Sequence, residues 1–224
     1  MQMAEYKELK SKKDYAYEKI KDDILNNVLK PGTVLNEREL CERLNISRTP
    51  IREAILKLAS DGLVEILPNR GAFVTNITYE VITEIYDIRE VLEGLAVKLF
   101  CICATEEEID ELKRVLDLQE RMKRNNDLEK FVEYDKTFHH LILKGCKNKN
   151  LKNIMENIRT KIERITNLTI KDIARAETTL THHKEIFKEI SQRNYVEAEK
   201  LMKHHISESK EYHIKNLKYL LGKL

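Results

Sequence analysis

The sequence contains no tryptophan and only three prolines, six glycines and four cysteines in 224 residues. So few turn-formers exclude a chain of many short strands, and the surplus of Leu, Ile, Glu and Lys favours helix. Cys101 and Cys103 are separated by one residue, and Cys41 and Cys146 stand alone. No second pair completes a thiolate zinc site, so reduced thiols without a special role are expected. No apolar run approaches the ~20 residues of a membrane span. The first residues, MQMAEYKELKSKKDYAY, lack the apolar segment of a secretory leader. A cytoplasmic protein with no membrane partner is expected. Excess charge is absent too: 40 Lys and Arg face 38 Asp and Glu, and residues 1–76 hold 13 against 12. Any nucleic-acid site must therefore arise from local placement of charge.

What is present is helical periodicity, with 42% hydrophobic residues, enough for a core. Over 14–29, Tyr17, Ile20, Ile24, Leu25 and Val28 share one face. Lys30-Pro31-Gly32 then breaks the helix before a short strand. Residues 36–45 read as a second helix, with Asn36 as N-cap, Glu39 at the capping-box position and Asn45 at a left-handed stop. A third runs to Ser60, capped by Ser47 or by Thr49, the latter with Pro50 at the first helical position. Its inward stripe is Ile51, Ala54, Ile55 and Leu58. LVEIL and AFVT around PNRG read as a hairpin. This order is a winged helix-turn-helix over residues 1–76. From 77 to 224 the pattern is helical throughout: 78–103, a restart at Thr105 with a capping box to Glu108, 127–145, 150–167, 175–191 and 194–221. The fold expected is mainly α, a winged helix-turn-helix followed by an all-α bundle.

In such a motif the start of the second helix reaches base edges, and an arginine fork matches guanine O6 and N7. Arg48 and Arg52 lie four residues apart on the face opposite Ile51 and Ile55. Ser47 and Thr49 can donate to phosphates, and Arg38 can reach the backbone. Arg70 at the hairpin tip can enter the minor groove, where Gly71 permits close approach. Each arginine alone is an ordinary solvated residue. Four on the protruding parts of one motif favour double-stranded DNA. The stretch PGTVLNERELCERLNISRTPIREAILKLASDGLV with the wing NRGAFVT resembles the DNA-binding domain of GntR-family bacterial transcription regulators. That resemblance implies base and phosphate contacts from Arg38, Arg48, Thr49, Arg52, Arg70 and Gly71, with Ser47 at a further contacting position.

All seven histidines follow residue 138, six of them in adjacent pairs. Helical phase selects one inward member of each. His139 shares a face with Asp135, Phe138 and Ile142; His183 with Leu180, Phe187 and Ile190; His205 with Ala198, Leu201 and Met202. His140, His182 and His204 face outward. One inward histidine is usually a hydrogen-bonded core residue. Three with an aspartate, from separate helices, are costly to bury without a shared partner, and a divalent metal is the simplest one. Zinc is favoured, with Ni, Mn, Fe or Co as alternatives. Arg89 interrupts the apolar stripe Ile82, Ile85, Leu92, Ala96 and Leu99. Glu93 can neutralise it; alternatively, Arg89 meets an anionic ligand.

The segments YDIREVLEGLAVKLF, DKTFHHLIL, HKEIFKEI and AEKLMKHHI resemble the FCD effector domain found in the FadR-like branch of that family. The resemblance implies Asp135, His139, His183 and His205 as metal ligands, Arg89 as the inward arginine of the effector site, a small carboxylate effector and a homodimer. A transcription regulator controlled by that acid is the leading expectation. A metal sensor and a helical metal-dependent enzyme are the alternatives; the enzyme is disfavoured because no general base stands beside the ligands.

Overall fold

The computed structural model describes residues 11–169 and 173–221. The described residues are 78% helical and fall into two compact units, Met1–Thr78 with Arg159–Leu168, and Tyr79–Ile158 with Thr169–Leu224.

In the first unit, α1 (Lys12–Leu25), α2 (Glu37–Leu44) and α3 (Arg48–Ser60) precede β1 (Val64–Leu67) and β2 (Gly71–Val74). Helix α1 ends earlier than the apolar periodicity predicts. Asn26 takes the C-cap position and Asn27 is left-handed at φ 57°. Val28 is consequently 65% exposed rather than inward. Asn36 caps α2 by accepting from the Arg38 and Glu39 amides, and its side-chain amide donates to Glu39. Asn45 stops the helix at φ 55°. The predicted strand after Pro31-Gly32 is a single bridge, Val34 to Phe73, at the edge of the antiparallel pair that joins Val64 to Val74 and Leu67 to Gly71. The stripe Ile51, Ala54, Ile55 and Leu58 is buried against Ile20, Ile24, Leu40 and Leu63. Tyr17 ties α1 to the end of α3 through a 2.6 Å bond from its hydroxyl to Asp61. Residues 159–168 also belong here: Arg164, only 4% exposed, donates to the Thr75 hydroxyl and carbonyl, and Asn167 donates to the Leu25 carbonyl.

The second unit is built from α4 (Tyr79–Cys103), α5 (Glu106–Arg124), α6 (Leu128–Gly145), α7 (Lys149–Thr169, in part), α8 (Ile173–Ser191) and α9 (Tyr195–Leu221). Thr105 and Glu108 form the reciprocal capping box that the sequence predicts at α5. Asp127 caps α6 through the Lys130 amide. Helix α4 packs along α9, α5 on α6 and α8, and α8 on α9. Each helix turns one apolar stripe inward, with Phe100, Leu112, Phe138, Ile186 and Met202 all fully buried.

Candidate nucleic-acid face and buried histidine cluster

Every residue expected to meet DNA is exposed in the first unit: Arg38, Ser47, Arg48, Thr49, Arg52, Arg70 and Gly71. Helix α3 begins at Arg48 with Ser47 in the N-cap position, which settles the open choice between Ser47 and Thr49. The Ser47 side chain makes no capping bond. The first amides of α3 therefore keep donors directed outward, as a phosphate oxygen requires. Arg52 is not idle. Its Nε donates to both Glu37 carboxylate oxygens at 2.9 and 2.8 Å, across from α2. Arg38 pairs with Glu42 at 3.0 Å along its own helix. Such exposed pairs are worth about 0–1 kcal/mol and yield readily to a stronger anion. At the wing, Arg70 lies 5.8 Å from the Phe73 ring centroid. Gly71 holds φ 99°, while a Cβ there would meet nothing within 4 Å. Its glycine is thus demanded by the backbone conformation of the turn, independently of any close approach.

In the second unit α6, α8 and α9 bring His139, His183 and His205 together, with one nitrogen of each within 4.8 Å of the others. Helical phase resolves two of the three pairs cleanly: His139 and His205 join the cluster, while His140 and His204 are exposed. His182 differs from its expected outward position. Its side chain is only 13% exposed, and its Nδ1 lies 3.4 Å from His205 Nδ1. Asp135 stands beside the cluster, its Oδ1 3.6 Å from His183 Nε2.

Each inward ring is held from behind. His139 Nδ1 meets the Glu93 carboxylate, His183 Nδ1 meets the Gln119 side-chain oxygen at 2.9 Å, and His205 Nδ1 meets His182. An imidazole that donates from Nδ1 presents a lone pair on Nε2. His205 Nε2 and His139 Nε2 are 3.3 Å apart, about the spacing of two nitrogens on one tetrahedral ion with bonds of ~2.0–2.1 Å. His183 Nε2 is buried with no hydrogen-bond partner, an arrangement that costs ~1–3 kcal/mol unless something meets the lone pair. Burial, then neighbouring imidazoles and the guanidiniums of Arg89 and Arg175, pull His183 and His205 well below their ordinary range. Both rings are therefore neutral at pH 7, the form that ligates a metal. The donor set fits a divalent ion.

Arg89 and Glu93, 7% and 6% exposed, form a 2.5 Å ion pair one turn apart on α4. Burial alone would neutralise each. Mutual attraction outweighs it: Arg89 is held above its ordinary value, and Glu93, flanked by Arg89 and His139, is held down at about 2. Glu93 is thus both the counter-charge foreseen for Arg89 and the brace for His139. Arg89 also donates to the Tyr86 hydroxyl at 3.3 Å. Arg175 bonds Ser209 at 2.5 Å, and its charge acts on the same histidines.

The sequence reading missed Gln119, fully buried behind His183. Its signal was available: Leu112, Val115, Leu116 and Gln119 follow an i, i+3, i+4, i+7 stripe, which makes the amide a polar residue at an apolar position. The positions of His182 and Arg175 carried no comparable signal, because both depend on the packing of α8 against α9.

A winged helix-turn-helix with exposed arginines, joined in one chain to a helical unit with a polar, metal-compatible centre, is the arrangement of a DNA-binding regulator. The chain belongs to the gntR family of bacterial regulatory proteins, matched over residues 12–74, and carries an FCD domain, matched over residues 84–208. It is a DNA-binding transcription regulator with an FCD effector domain, of a family of regulators rather than enzymes. The HTH-type transcriptional regulator YdhC of Bacillus subtilis (strain 168) is 34% identical over 92% of this chain and 90% of its own length. The transcriptional repressor RspR of Escherichia coli (strain K12) is 29% identical over 87% of this chain and 86% of its own. Among solved structures, a GntR regulator from Rhodococcus sp. RHA1 superposes with a TM-score of 0.76 at 24% identity, covering 91% of this chain and 97% of that one. No helix among the described residues is long and apolar enough to cross a membrane.

Proposed function

We propose that this regulator's affinity for its operator is controlled by a small carboxylate metabolite bound at a divalent ion in the FCD domain, and that it acts in the cytoplasm as a homodimer. The ion, zinc foremost, with Ni, Mn, Fe or Co as alternatives, is held by His139, His183 and His205 with Asp135. The observation that carries the reading is the orphaned Nε2 of His183, buried beside two further imidazole nitrogens and a carboxylate. A bound ion supplies a Lewis-acidic seat for a carboxylate oxygen. Arg89 has spent part of its guanidinium on Glu93 and Tyr86 and retains further donors for a second oxygen.

On the DNA side, Arg48 and Arg52 read bases, Arg38, Ser47 and Thr49 hold the backbone, and Arg70-Gly71 meets the minor groove. One winged module buries too little surface for tight binding, which favours two on a near-palindromic site. A homodimer is further supported by α4, where Ile88, Val91, Leu95 and Ile102 are 47, 61, 38 and 58% exposed at spacings that place them on one face. The test is mass spectrometry of metal and small molecules released from the purified chain. A divalent transition ion and an organic acid are expected together, and His183→Ala should release no acid and fewer ions than wild type. Equal metal content in wild type and His183→Ala contradicts the site.

A further inference from the structure

A second cluster lies on the outer side of the same two helices. His182 on α8 and His204 and Glu208 on α9 bring one ligand atom each within 4.8 Å of one another. His182 Nε2 is 3.6 Å from one Glu208 oxygen, and His204 Nε2 is 3.3 Å from the other. With bonds of ~2.0–2.2 Å, donors on a tetrahedral ion stand about 3.3–3.6 Å apart. His204 is 58% exposed and Glu208 37%, so the cluster opens to water, which can fill the remaining positions. Two imidazoles and one carboxylate suit Zn, Ni or Cu.

The cluster is also wired to the buried one. His205 turns Nε2 to the inner cluster, 3.3 Å from His139 Nε2, and Nδ1 to His182 Nδ1 at 3.4 Å. A neutral imidazole carries one proton. When His205 Nε2 serves as a ligand, the proton sits on His205 Nδ1 and is donated to His182 Nδ1. The His182 proton then sits on Nε2, the atom that faces Glu208, and that nitrogen has no lone pair for an outer ion. When the inner cluster is empty, the relay can reverse. His205 Nε2–H donates to His139, His205 Nδ1 accepts from His182 Nδ1–H, and His182 Nε2 is left with its lone pair facing outward.

We propose that His182, His204 and Glu208 form a second, solvent-facing divalent-cation site, antagonistic to the buried one through the proton shared by His182 and His205. The outer site receives an ion best while the inner one is empty. The antagonism rests on the proposed inner site; the outer site itself does not.

The test uses full-length, metal-stripped protein titrated with Zn²⁺ against a chromophoric chelator. Wild type is expected to take two ions, the second at least about tenfold more weakly, the scale on which outer-shell partners change metal affinity. His204→Ala and Glu208→Gln, both at open positions, should each take one ion, with the tight class unchanged. His183→Ala should also take one, held about tenfold more tightly than wild type holds its second. A wild-type capacity of one ion, or two ions in His204→Ala and Glu208→Gln, overturns the outer site. An outer affinity in His183→Ala equal to that in wild type overturns the antagonism. Two ions in His183→Ala, one of them lost with His204→Ala, would instead sink the inner site and leave the outer one standing.

Discussion

Replacing Glu93 by Gln keeps the side chain's shape and removes a carboxylate in contact with both Arg89 and His139. Arg89, 7% exposed, then keeps its charge in the interior without the carboxylate it is bonded to, and only the weaker influence of Asp135 remains. Removing one partner of a buried pair costs about 3–5 kcal/mol. Glu93's own ionisation points the same way: against the cost of burial, Arg89 and His139 hold its carboxyl well below the ordinary range. For a chain of this length, about 3–5 kcal/mol is a fall in Tm of roughly 6–20 °C. Urea unfolding of metal-stripped wild type and Glu93→Gln, followed by circular dichroism, measures it without a contribution from bound metal. A depressed carboxyl stabilises above its unfolded value near 4.5 and loses that stabilisation as pH falls towards 2. The gap between the two proteins should therefore be constant above about pH 5 and close in acid. Arg89→Met should cost less in the Glu93→Gln background than in wild type, because the two side chains act as one unit. A Glu93→Gln protein within about 1 kcal/mol of wild type at pH 7 would refute the pair as a structural element.

Arg52→Ala should weaken specific operator binding by about 1–3 kcal/mol and relax base preference, whereas Arg38→Ala weakens all sequences alike; unchanged selectivity in a binding-site selection removes Arg52 from the reading face. His183→Ala should lose the buried ion and lower Tm, since an ion that binds the folded state stabilises it by mass action, while the exposed His140→Ala does neither; metal analysis and calorimetry separate them. Burial, then the charges of Arg89 and Arg175, push His213 down to about 3. The unfolded chain therefore takes up a proton near pH 6.5 that the folded one refuses, and His213 removes up to ~1.4 kcal/mol of stability per pH unit from about 6.5 down to 3. His213→Gln should flatten that slope, and an unchanged pH profile counts against it. Val91→Asp, on the exposed face of α4, should shift the chain from dimer to monomer in sedimentation without loss of helicity.

Local chemistry made much of this molecule legible before its structure. Asn36, Asn45 and the Thr105–Glu108 box mark helix ends because a cap is satisfied within four residues. Phase chose His139, His183 and His205 over their neighbours because period 3.6 says which side of a helix a residue occupies. Phase does not say what stands opposite. That is why His182, phased outward, is found against His205, and why Gln119 behind His183 and Glu37 beneath Arg52 went unseen. Each depends on a second helix whose approach no single stripe encodes. The bond from Arg164 to Thr75 spans 89 residues of sequence, and no local pattern points to it. At Asn26-Asn27 the apolar periodicity ran on while two turn-forming side chains ended α1, so local backbone preference overrode the stripe.

The central claim, that a carboxylate at a metal-loaded FCD domain sets DNA affinity, is tested most directly by one titration. Operator affinity is measured against a panel of metabolic carboxylates for metal-loaded wild type, metal-stripped wild type and Arg89→Ala. The account predicts that at least one acid shifts the loaded wild type by about 5–150-fold, a coupling of ~1–3 kcal/mol. It also predicts that the shift disappears in the stripped protein and in Arg89→Ala while DNA binding itself persists. An acid response that survives in both, or no response in the loaded wild type, would contradict it.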